Sequence, residues 1–341
     1  MNTTEAYIAL NLLPKIGPVR VRRLLEIFET PQAILSAKRD QIRQIEGFGN
    51  EIARQITDWQ DHIDLQCELQ LIRDAKVQVV CPADDAYPTP LRDIHDPPMV
   101  LYVWGTLTPA DNQSIGIVGS RRATHYGLQT AKKLSFQLAS AGFTVISGLA
   151  RGIDTAAHEG ALASGGRTIG VLGSGLGKLY PPENQTLAER MAQHGAVVSE
   201  FPLLYPPDKQ SFPLRNRIVS GWSSGILVIE APQRSGALIT ANQAAEQGRN
   251  VYAVPGPIDR PASVGCHRLI QDGAKLVIDA EDIIEDFGPV QLELPKAHPG
   301  DNPQLPPDLS PEEHTIIQLL SRTELGIEDI IRQSELTPSL V

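Results

Sequence analysis

The stretch GIVGSRRATHYG at residues 116–127 decides the fold, because a short apolar run ends there in a glycine turn ahead of an amphipathic stretch. Six apolar runs of four or five residues alternate with longer amphipathic stretches, at residues 115–118, 144–147, 168–172, 196–199, 226–229 and 251–254. Buried runs of this length separated by helices are typical of βαβ units. The pattern predicts an α/β domain with a parallel, doubly wound sheet.

Polar and glycine-rich turns follow these predicted strands. They occupy residues 119–122, 147–152, 173–175, 199–200 and 255–256. Ligands of such sheets bind at the carboxyl ends of the strands. The sequence therefore predicts a binding site at this edge of the sheet.

The turn after the first strand has the chemistry of a phosphate site. It offers backbone N–H groups ahead of a helix, and Arg121 and Arg122 add two guanidinium groups. The turn is not GxGxxG, and the second predicted strand ends at Gly148 without an acidic residue to bind a ribose. These departures argue against NAD, and the sequence predicts no cofactor.

A second cationic cluster, KQSFPLRNR, spans residues 209–217. Its lysine and arginines can neutralise phosphates, and Phe212 offers a flat surface on which an unpaired base can stack. An alternative stays open, in which Phe212 lies in the core and the two arginines pair with Glu200 or Glu230.

Parallel strands deliver the loops that follow them to the same edge, so we expect Arg121, Lys209 and Phe212 to share one pocket. Ser235 can cap the helix of a third loop, which is weak evidence by itself. The predicted nucleic-acid contacts are Gly119, Ser120, Arg121, Arg122, Gly148, Arg151, Lys209, Phe212, Arg215, Arg217 and Ser235.

Catalytic arrangements are not evident in the sequence. Asp154 and His158 stand four residues apart and could both bind a metal, but Asp154 is equally suited to cap a helix and no third ligand is adjacent. Neither a GxSxG elbow nor a carboxylate pair is visible. The sequence predicts a binding protein without a metal rather than an enzyme.

The net charge of −10 argues at first against a nucleic-acid partner. The charge is uneven, because residues 113–278 carry 16 Lys and Arg against 10 Asp and Glu, whereas residues 279–341 carry 3 against 14. A basic central domain with an acidic tail fits this distribution. An ordinary solvated surface explains the central excess equally well.

The flanking segments predict smaller units. Residues 1–60 show helical spacing with two glycine turns, at 16–19 and 45–49, typical of a SAM-like or helix-hairpin-helix domain, with a plain helical bundle as the alternative. Proline-rich residues 61–112 are expected to connect this domain to the α/β domain at 113–287, with strands near 77–81 and 99–104.

The carboxyl-terminal part is predicted to hold a linker and a further domain. Residues 288–311 contain seven prolines, which indicates a linker over about 288–309. The string SPEE at 310–313 is a capping box that starts a new helix. Residues 310–341 are predicted to form a partial winged-helix-like domain.

Further features predict a cytoplasmic protein. The first residues lack a basic segment followed by an apolar one, and no run of about 18 apolar residues predicts a membrane span. Three cysteines, Cys67, Cys81 and Cys266, are odd in number and far apart, so we expect them to be reduced.

Five strings across residues 113–278 resemble the DprA/Smf family in order and spacing. They are GIVGSRRATHYG, SGLARGIDTAAHEGAL, LGSGLGKLYPPEN, FPLRNRIVSGWS and SGALITANQAAEQGRNVYAVPGPIDRPASVGCHRLIQDGAKLV. The resemblance implies an extended Rossmann-like domain that binds single-stranded DNA through a basic pocket, forms a homodimer and loads a RecA-type recombinase during natural transformation. It also implies that Arg121 is the arginine of the family's GSR motif, and that Lys209 and Phe212 are its pocket lysine and aromatic residue.

The sequence departs from the family pattern at two positions. Gly177 stands where an aspartate is usual, and His267 stands where an asparagine is usual. A competing interpretation is a nucleotide-derivative hydrolase similar to the lysine-decarboxylase-like phosphoribohydrolases. That superfamily carries a PGGxGT turn, whereas the comparable residues 233–238 read QRSGAL. A third interpretation is a scaffold that recruits a recombinase and touches DNA only incidentally.

Overall fold

The structure, a computed structural model, describes residues 1–288. Within them, nine strands form one sheet: β1 (Gln78–Val80), β2 (Leu101–Gly105), β3 (Ser114–Val118), β4 (Thr144–Ser147), β5 (Thr168–Val171), β6 (Ala196–Ser199), β7 (Gly225–Val228), β8 (Asn250–Ala253) and β9 (Lys275–Leu276).

Fifteen α-helices accompany these strands over the same residues. They are α1 (Thr3–Leu12), α2 (Pro18–Phe28), α3 (Pro31–Leu35), α4 (Arg39–Arg43), α5 (Asn50–Thr57), α6 (Trp59–His62), α7 (Leu65–Asp74), α8 (Thr89–Arg92), α9 (His125–Ser140), α10 (Ile153–Ala163), α11 (Gln185–His194), α12 (Ser211–Trp222), α13 (Gly236–Glu246), α14 (Val264–Gln271) and α15 (Glu281–Ile284).

The sheet confirms the predicted α/β class. Its strand order is β1-β2-β6-β5-β4-β3-β7-β8-β9, and the seven strands from β6 to β9 in this order are parallel. Each of the six predicted runs forms a strand that matches it to within one residue at either end. Both faces of β3 are buried, as expected for a strand covered by helices on two sides.

The chain order of the strands reverses at β3. β4, β5 and β6 lie in succession on one side of it, and β7, β8 and β9 lie in succession on the other. Successive loops at the carboxyl edge therefore diverge next to β3 and leave a crevice there. In doubly wound sheets, this switch point is where ligands bind.

Residues 61–112 do more than connect two domains. They contribute helix α7 and the strands β1 and β2, and β2 pairs antiparallel with β6, with Val103 opposite Val198. The two strands predicted in this segment are thus part of the main sheet. Antiparallel pairing extends the sheet without requiring a crossover helix.

The amino-terminal helices pack directly against this extension. Ile8, Leu24 and Ile56, from α1, α2 and α5, share one buried apolar cluster with Tyr102 of β2. Two hydrogen bonds add to the contact: Asn11 Nδ2 donates to the Glu200 carbonyl at 2.9 Å, and the Leu203 amide donates to Glu68 Oε1 at 2.8 Å. The helical part is therefore fixed near the carboxyl end of β6.

The two predicted glycine turns lie where the sequence places them. Gly17 and Gly49 are the N-caps of α2 and α5, both with extended backbone, and the positive φ of 83° falls on Gly47. Only Gly47 therefore depends on the conformational freedom of glycine.

Several expectations concern other parts of the chain. The linker and the winged-helix-like segment lie outside the described residues, apart from Gly288. Within residues 1–288 no helix is long and apolar enough to cross a membrane. The three cysteines are unpaired; Cys67 is exposed, and Cys81 and Cys266 are buried.

Candidate nucleic-acid interface

Two adjoining cavities open at the carboxyl edge of the sheet beside the switch point. The larger, here called the arginine cavity, has a volume of about 470 Å³ and is formed by the loops that follow β3, β4 and β7, together with α12. Its lining consists of Val118, Gly119, Ser120, Arg121, Arg122, Gly148, Ala150, Asp154, Arg215, Asn216, Val219, Pro232, Arg234, Ser235, Gly236, Ala237 and Thr240.

The smaller cavity, here called the aromatic slot, continues from the arginine cavity. Its lining consists of Arg121, Gly148, Ala150, Arg151, Tyr180, Pro181, Phe212 and Arg215. Arg121, Gly148, Ala150 and Arg215 belong to both linings. The slot has a volume of about 20 Å³, room for little more than about one water molecule, so a ligand bound in the arginine cavity can extend to the mouth of the slot.

The arginine cavity is strongly cationic. Four guanidinium groups line it against one carboxylate, that of Asp154. Arg121, Arg122 and Arg234 are exposed, and within residues 1–288 their guanidinium groups have neither an ion-pair partner nor a hydrogen bond. Unpaired arginines that converge on one cavity are suited to bind phosphate oxygens.

Two neighbouring aromatic rings lie between two arginines in the slot. The Cζ atom of Arg121 lies 5.3 Å from the ring centre of Phe212, which in turn lies 5.9 Å from the ring centre of Tyr180. The Cζ atom of Arg151 lies 5.6 Å from the Tyr180 ring centre. Rings flanked by arginines provide both a stacking surface and positive charge.

Phe212 forms a wall of the slot rather than part of the core. It is half-buried, and none of the four buried apolar clusters includes it. A Cβ atom on Gly173 would lie 2.7 Å from Phe212 Cδ1, so the strand-end glycine makes room for the ring. The ring therefore packs against Gly173 and lines the slot, with the Arg121 guanidinium over it.

Arg215 is a buried residue of α12 that lines both cavities. Its Nη1 donates to the carbonyl oxygens of Gly148, at 2.6 Å, and Val171, which follow or end β4 and β5. Burial lowers the pKa of Arg215 to about 10, and Arg121 adds to this shift, whereas Asp154 opposes it. The group stays charged at neutral pH and contributes a fixed positive charge to the floor of the site.

Arg217, one of the predicted DNA contacts, does not face either cavity. It is buried and lines neither cavity; its Nε donates to Asp96 Oδ2 and its Nη2 to Glu200 Oε2, each at 2.7 Å. The pairing with Glu200 considered from the sequence is thus correct for Arg217 and incorrect for Arg215. The physical reason is helical geometry, because residues two apart on a helix point in different directions.

The backbone amides predicted to bind phosphate have partners within the protein. The Ser120 amide donates to the Glu230 carbonyl at 2.8 Å, and the Arg122 amide donates to Ser120 Oγ at 3.1 Å. At the start of α9, the Thr124 amide donates to Glu230 Oε2 at 2.9 Å. These three amides are therefore not free to bind an anion, and the guanidinium groups supply most of the attraction.

Asp154 and His158 also have hydrogen-bond partners within the protein. Asp154 Oδ2 accepts from the amides of Gly148 at 3.1 Å and Ala150 at 3.3 Å, and the N-cap of α10 is Gly152. Burial raises the pKa of Asp154 despite these hydrogen bonds and the nearby Arg215.

His158 is buried beside Thr168, whose hydroxyl donates to the Val145 carbonyl at 2.8 Å. The Thr168 oxygen is therefore free to accept a hydrogen bond from His158 Nδ1, at 2.7 Å. Burial lowers the pKa of His158 to about 3, with Arg215 adding to the effect. The ring is neutral at pH 7.

The structure brings together most of the predicted contacts. Those that line at least one cavity are Gly119, Ser120, Arg121, Arg122, Gly148, Arg151, Phe212, Arg215 and Ser235. Ser235 also caps α13 by accepting from the Ala237 amide at 3.2 Å. Arg151 is paired with Glu183. Lys209 is exposed just ahead of α12 and, like Arg217, lines neither cavity.

Two residues of the site were missed in the sequence. Arg234 precedes Ser235, and its position directly before a predicted helix cap at a strand end is a signal that could have identified it. Tyr180 lies between β5 and α11, two residues after Lys178, and its place in the string LGSGLGKLYPPEN gives no sign that its ring lies beside Phe212; tertiary contact reveals this.

The two departures from the family pattern lie outside the linings of both cavities. The Gly177 amide donates to the Leu203 carbonyl at 2.9 Å, and a Cβ atom there would lie 3.0 Å from that oxygen. His267 Nε2 lies 2.9 Å from the Gly256 carbonyl. Both residues therefore have local structural partners.

Comparison with family models finds two matches. The model described as DNA recombination-mediator protein A matches residues 78–288, and a SAM-like helix-hairpin-helix tandem model matches residues 8–58. The second match confirms the predicted character of the amino-terminal domain. The first begins at β1, in agreement with the extended sheet.

Individual proteins show the same similarity. Protein Smf of Synechocystis is 37% identical over 309 residues, which cover 88% of this chain and 78% of that protein. The X-ray structure of DNA processing protein A from Streptococcus pneumoniae matches with a TM-score of 0.74 and 35% identity, covering 84% of this chain and 99% of that one.

A second solved structure is that of DNA processing protein A from Helicobacter pylori, described for its unique single-stranded DNA binding mode. It matches with a TM-score of 0.56 and 28% identity, covering 62% of this chain and 97% of that one.

Proposed function

The chain belongs to the DNA recombination-mediator protein A family, also called DprA/Smf, and from this premise we propose that it binds single-stranded DNA at the arginine cavity and the aromatic slot. We further propose that it delivers the bound strand to a RecA-type recombinase during DNA uptake. The described single-stranded DNA binding of the Helicobacter pylori relative supports the first part.

The observation that carries the proposal is the contact between Arg121 and Phe212. Ninety residues apart in sequence, they lie with the guanidinium carbon 5.3 Å from the ring centre, where the two cavities join. A phosphate and the base attached to it need these two kinds of group side by side. The unpaired Arg122 and Arg234 add positive charge for the phosphate backbone of the DNA strand.

The slot favours a strand whose bases are unpaired. Phe212 and Tyr180 are half-buried in a concave wall, so a base reaches their faces only when it is free to leave a duplex. Stacking of this kind tolerates any base because every base has a flat face. The expected binding is therefore strand-selective with little sequence preference.

Competition measured by fluorescence anisotropy tests this proposal. A labelled single strand bound to the full chain is displaced by unlabelled single strands or by duplexes of the same length. We expect single strands of several sequences to compete alike and duplex to compete far less well. Equal competition by duplex would contradict the role of stacking.

The hydrolase alternative requires a free acid-base group at the cavity. Asp154 is the carboxylate in the lining, and its Oδ2 accepts hydrogen bonds from two backbone amides. A group held in this way supports the local loop conformation rather than a reaction. Incubation with nucleoside monophosphates, followed by detection of free base, distinguishes the alternatives, and we expect none to be released.

Delivery to a recombinase and self-association are parts of the proposal that rest on the family. We expect the chain to accelerate assembly of a RecA-type filament on single-stranded DNA, and Arg121→Ala to lose this effect while remaining folded. Sedimentation equilibrium is expected to show a homodimer. A recombinase effect that survives Arg121→Ala would instead favour a scaffold that touches DNA incidentally.

A further inference from the structure

The two adjoining cavities differ in chemistry along their length. The aromatic rings of Phe212 and Tyr180 line only the slot. The guanidinium groups of Arg122 and Arg234 line only the arginine cavity, and Arg121 lies at the junction. A ligand that fills the arginine cavity and reaches the mouth of the slot must therefore present a flat apolar part at one end and negative charge at the other.

The cavity is larger than one phosphate group requires. Its volume of about 470 Å³ falls within the range of sites that enclose whole small ligands, roughly 300–1,000 Å³. Arg122 follows β3 and Arg234 follows β7, so they approach from the two strands that border the crevice. Both are exposed, and neither has a hydrogen bond or ion pair within the part of the chain that the structure describes.

The two guanidinium groups where the cavities join, those of Arg121 and Arg215, already have contacts within the protein. Arg121 lies over the Phe212 ring, and Arg215 Nη1 is already bonded to two strand-end carbonyls. These two groups can hold a phosphate beside the slot but cannot follow it to the far end. Arg122 and Arg234 are thus the guanidinium groups left for a second phosphate.

We propose that the arginine cavity binds two consecutive phosphates of one DNA strand. This inference rests on the proposed function. The base of one nucleotide stacks at the mouth of the slot with a phosphate at Arg121, and the neighbouring phosphate of the same strand lies between Arg122 and Arg234. Arg234 is thereby assigned as a DNA contact, and the smallest ligand that fills the site contains two phosphodiesters.

Short thymidylate oligomers without terminal phosphates provide the test. Oligomers with one, two and three phosphodiesters compete with a labelled single strand on the full chain over a range of salt concentrations. For the unmodified chain, the second phosphodiester is expected to steepen the slope of log affinity against log salt by about 0.7, the value for one contact on a single strand.

Arg234→Ala is expected to remove this increment and to leave the slope for the one-phosphodiester oligomer unchanged. Arg234→Lys keeps the charge and should keep the increment. Arg190→Ala is the matched control, because Arg190 is exposed on α11 and lines neither cavity; all its slopes should equal those of the unmodified chain.

Different failures have different meanings. Equal slopes for Arg234→Ala and the unmodified chain, or an equal loss with one and with two phosphodiesters, would overturn the two-phosphate inference alone, provided that Arg121→Ala and Phe212→Ala still weaken binding. If those two variants bind single strands normally, the proposed function itself fails.

Discussion

The arginines of the carboxyl-edge loops and those of helix α12 look alike in sequence but have opposite surroundings. Arg121, Arg122 and Arg234 are exposed, with no partner for their charge in the described residues. Arg215 and Arg217 are buried, and each donates to two or more acceptors. Local charge density therefore does not distinguish a ligand-binding arginine from a structural one; burial and available acceptors do.

The largest expected effect is the loss of stability caused by removing a buried arginine. Arg217→Ala leaves Glu200 without its partner beneath the surface, and removal of one member of a buried ion pair costs about 3–5 kcal/mol. We expect the free energy of unfolding, measured by urea denaturation, to fall by that amount. Arg190→Ala serves as the control and should change it little; a similar value for both variants would refute the structural role of Arg217.

Phe212→Ala tests the aromatic part of the exposed side. Loss of a stacking surface is expected to weaken single-strand binding by about 1–3 kcal/mol and to leave the salt dependence unchanged, because no charge is removed. Tyr126→Ala, which removes an exposed ring outside both cavities, is the matched control. Early thermal melting of Phe212→Ala without a binding defect would mean that the ring serves the core.

The buried His158 is expected to make the stability of the protein depend on pH. Its pKa is about 3 in the folded chain and about 6.5 in the unfolded chain, so below pH 6.5 the unfolded chain binds a proton that the folded chain does not. Stability from this group is present above pH 6.5 and is lost as the pH falls towards 3, by up to about 1.4 kcal/mol per pH unit.

Urea denaturation at several pH values measures this effect. His158→Gln should show a shallower loss between pH 6 and 4 than the unmodified chain, whereas His194→Gln, which changes an exposed histidine, should not. Parallel pH profiles for all three chains would show that His158 titrates normally.

Arg121→Ala tests whether an exposed arginine contributes to DNA binding without contributing to stability. The variant should retain its free energy of unfolding, because the side chain is exposed and unpaired within residues 1–288. The slope of log affinity against log salt should become shallower by about 0.7, which corresponds to one lost phosphate contact. A salt titration beside a thermal melt separates the two quantities; an unaltered slope places the phosphate elsewhere.

Lys209→Ala gives the smallest expected change. Lys209 lines neither cavity, but its long exposed side chain lies at the start of the helix that carries Phe212. We expect the salt slope to fall by at most about 0.7 and the unfolding free energy to stay constant. An affinity and slope equal to those of the unmodified chain would limit the site to the residues of the two cavities.

Most of the fold was predictable because its signals are local. The six apolar runs, the glycine turns and the basic loops each occupy a few consecutive residues, and the strand-end rule then places the loops at one edge. This reasoning correctly predicted that Arg121 and Phe212 meet. The pairing of β2 with β6 was not predictable, since antiparallel addition depends on which sheet edge is free and not on the strand's own pattern.

The sequence by itself determined the class of the domain, the edge that carries the site and the residue types available there. Only the tertiary structure decided which of those residues face the cavities. Arg215 and Arg217 lie two positions apart, and the helical twist sends one to the strand ends and the other to Glu200. Likewise Glu230, distant in sequence, occupies the amides predicted for phosphate. Pairing with a distant group depends on distance and burial, which the order of residues along a chain does not contain.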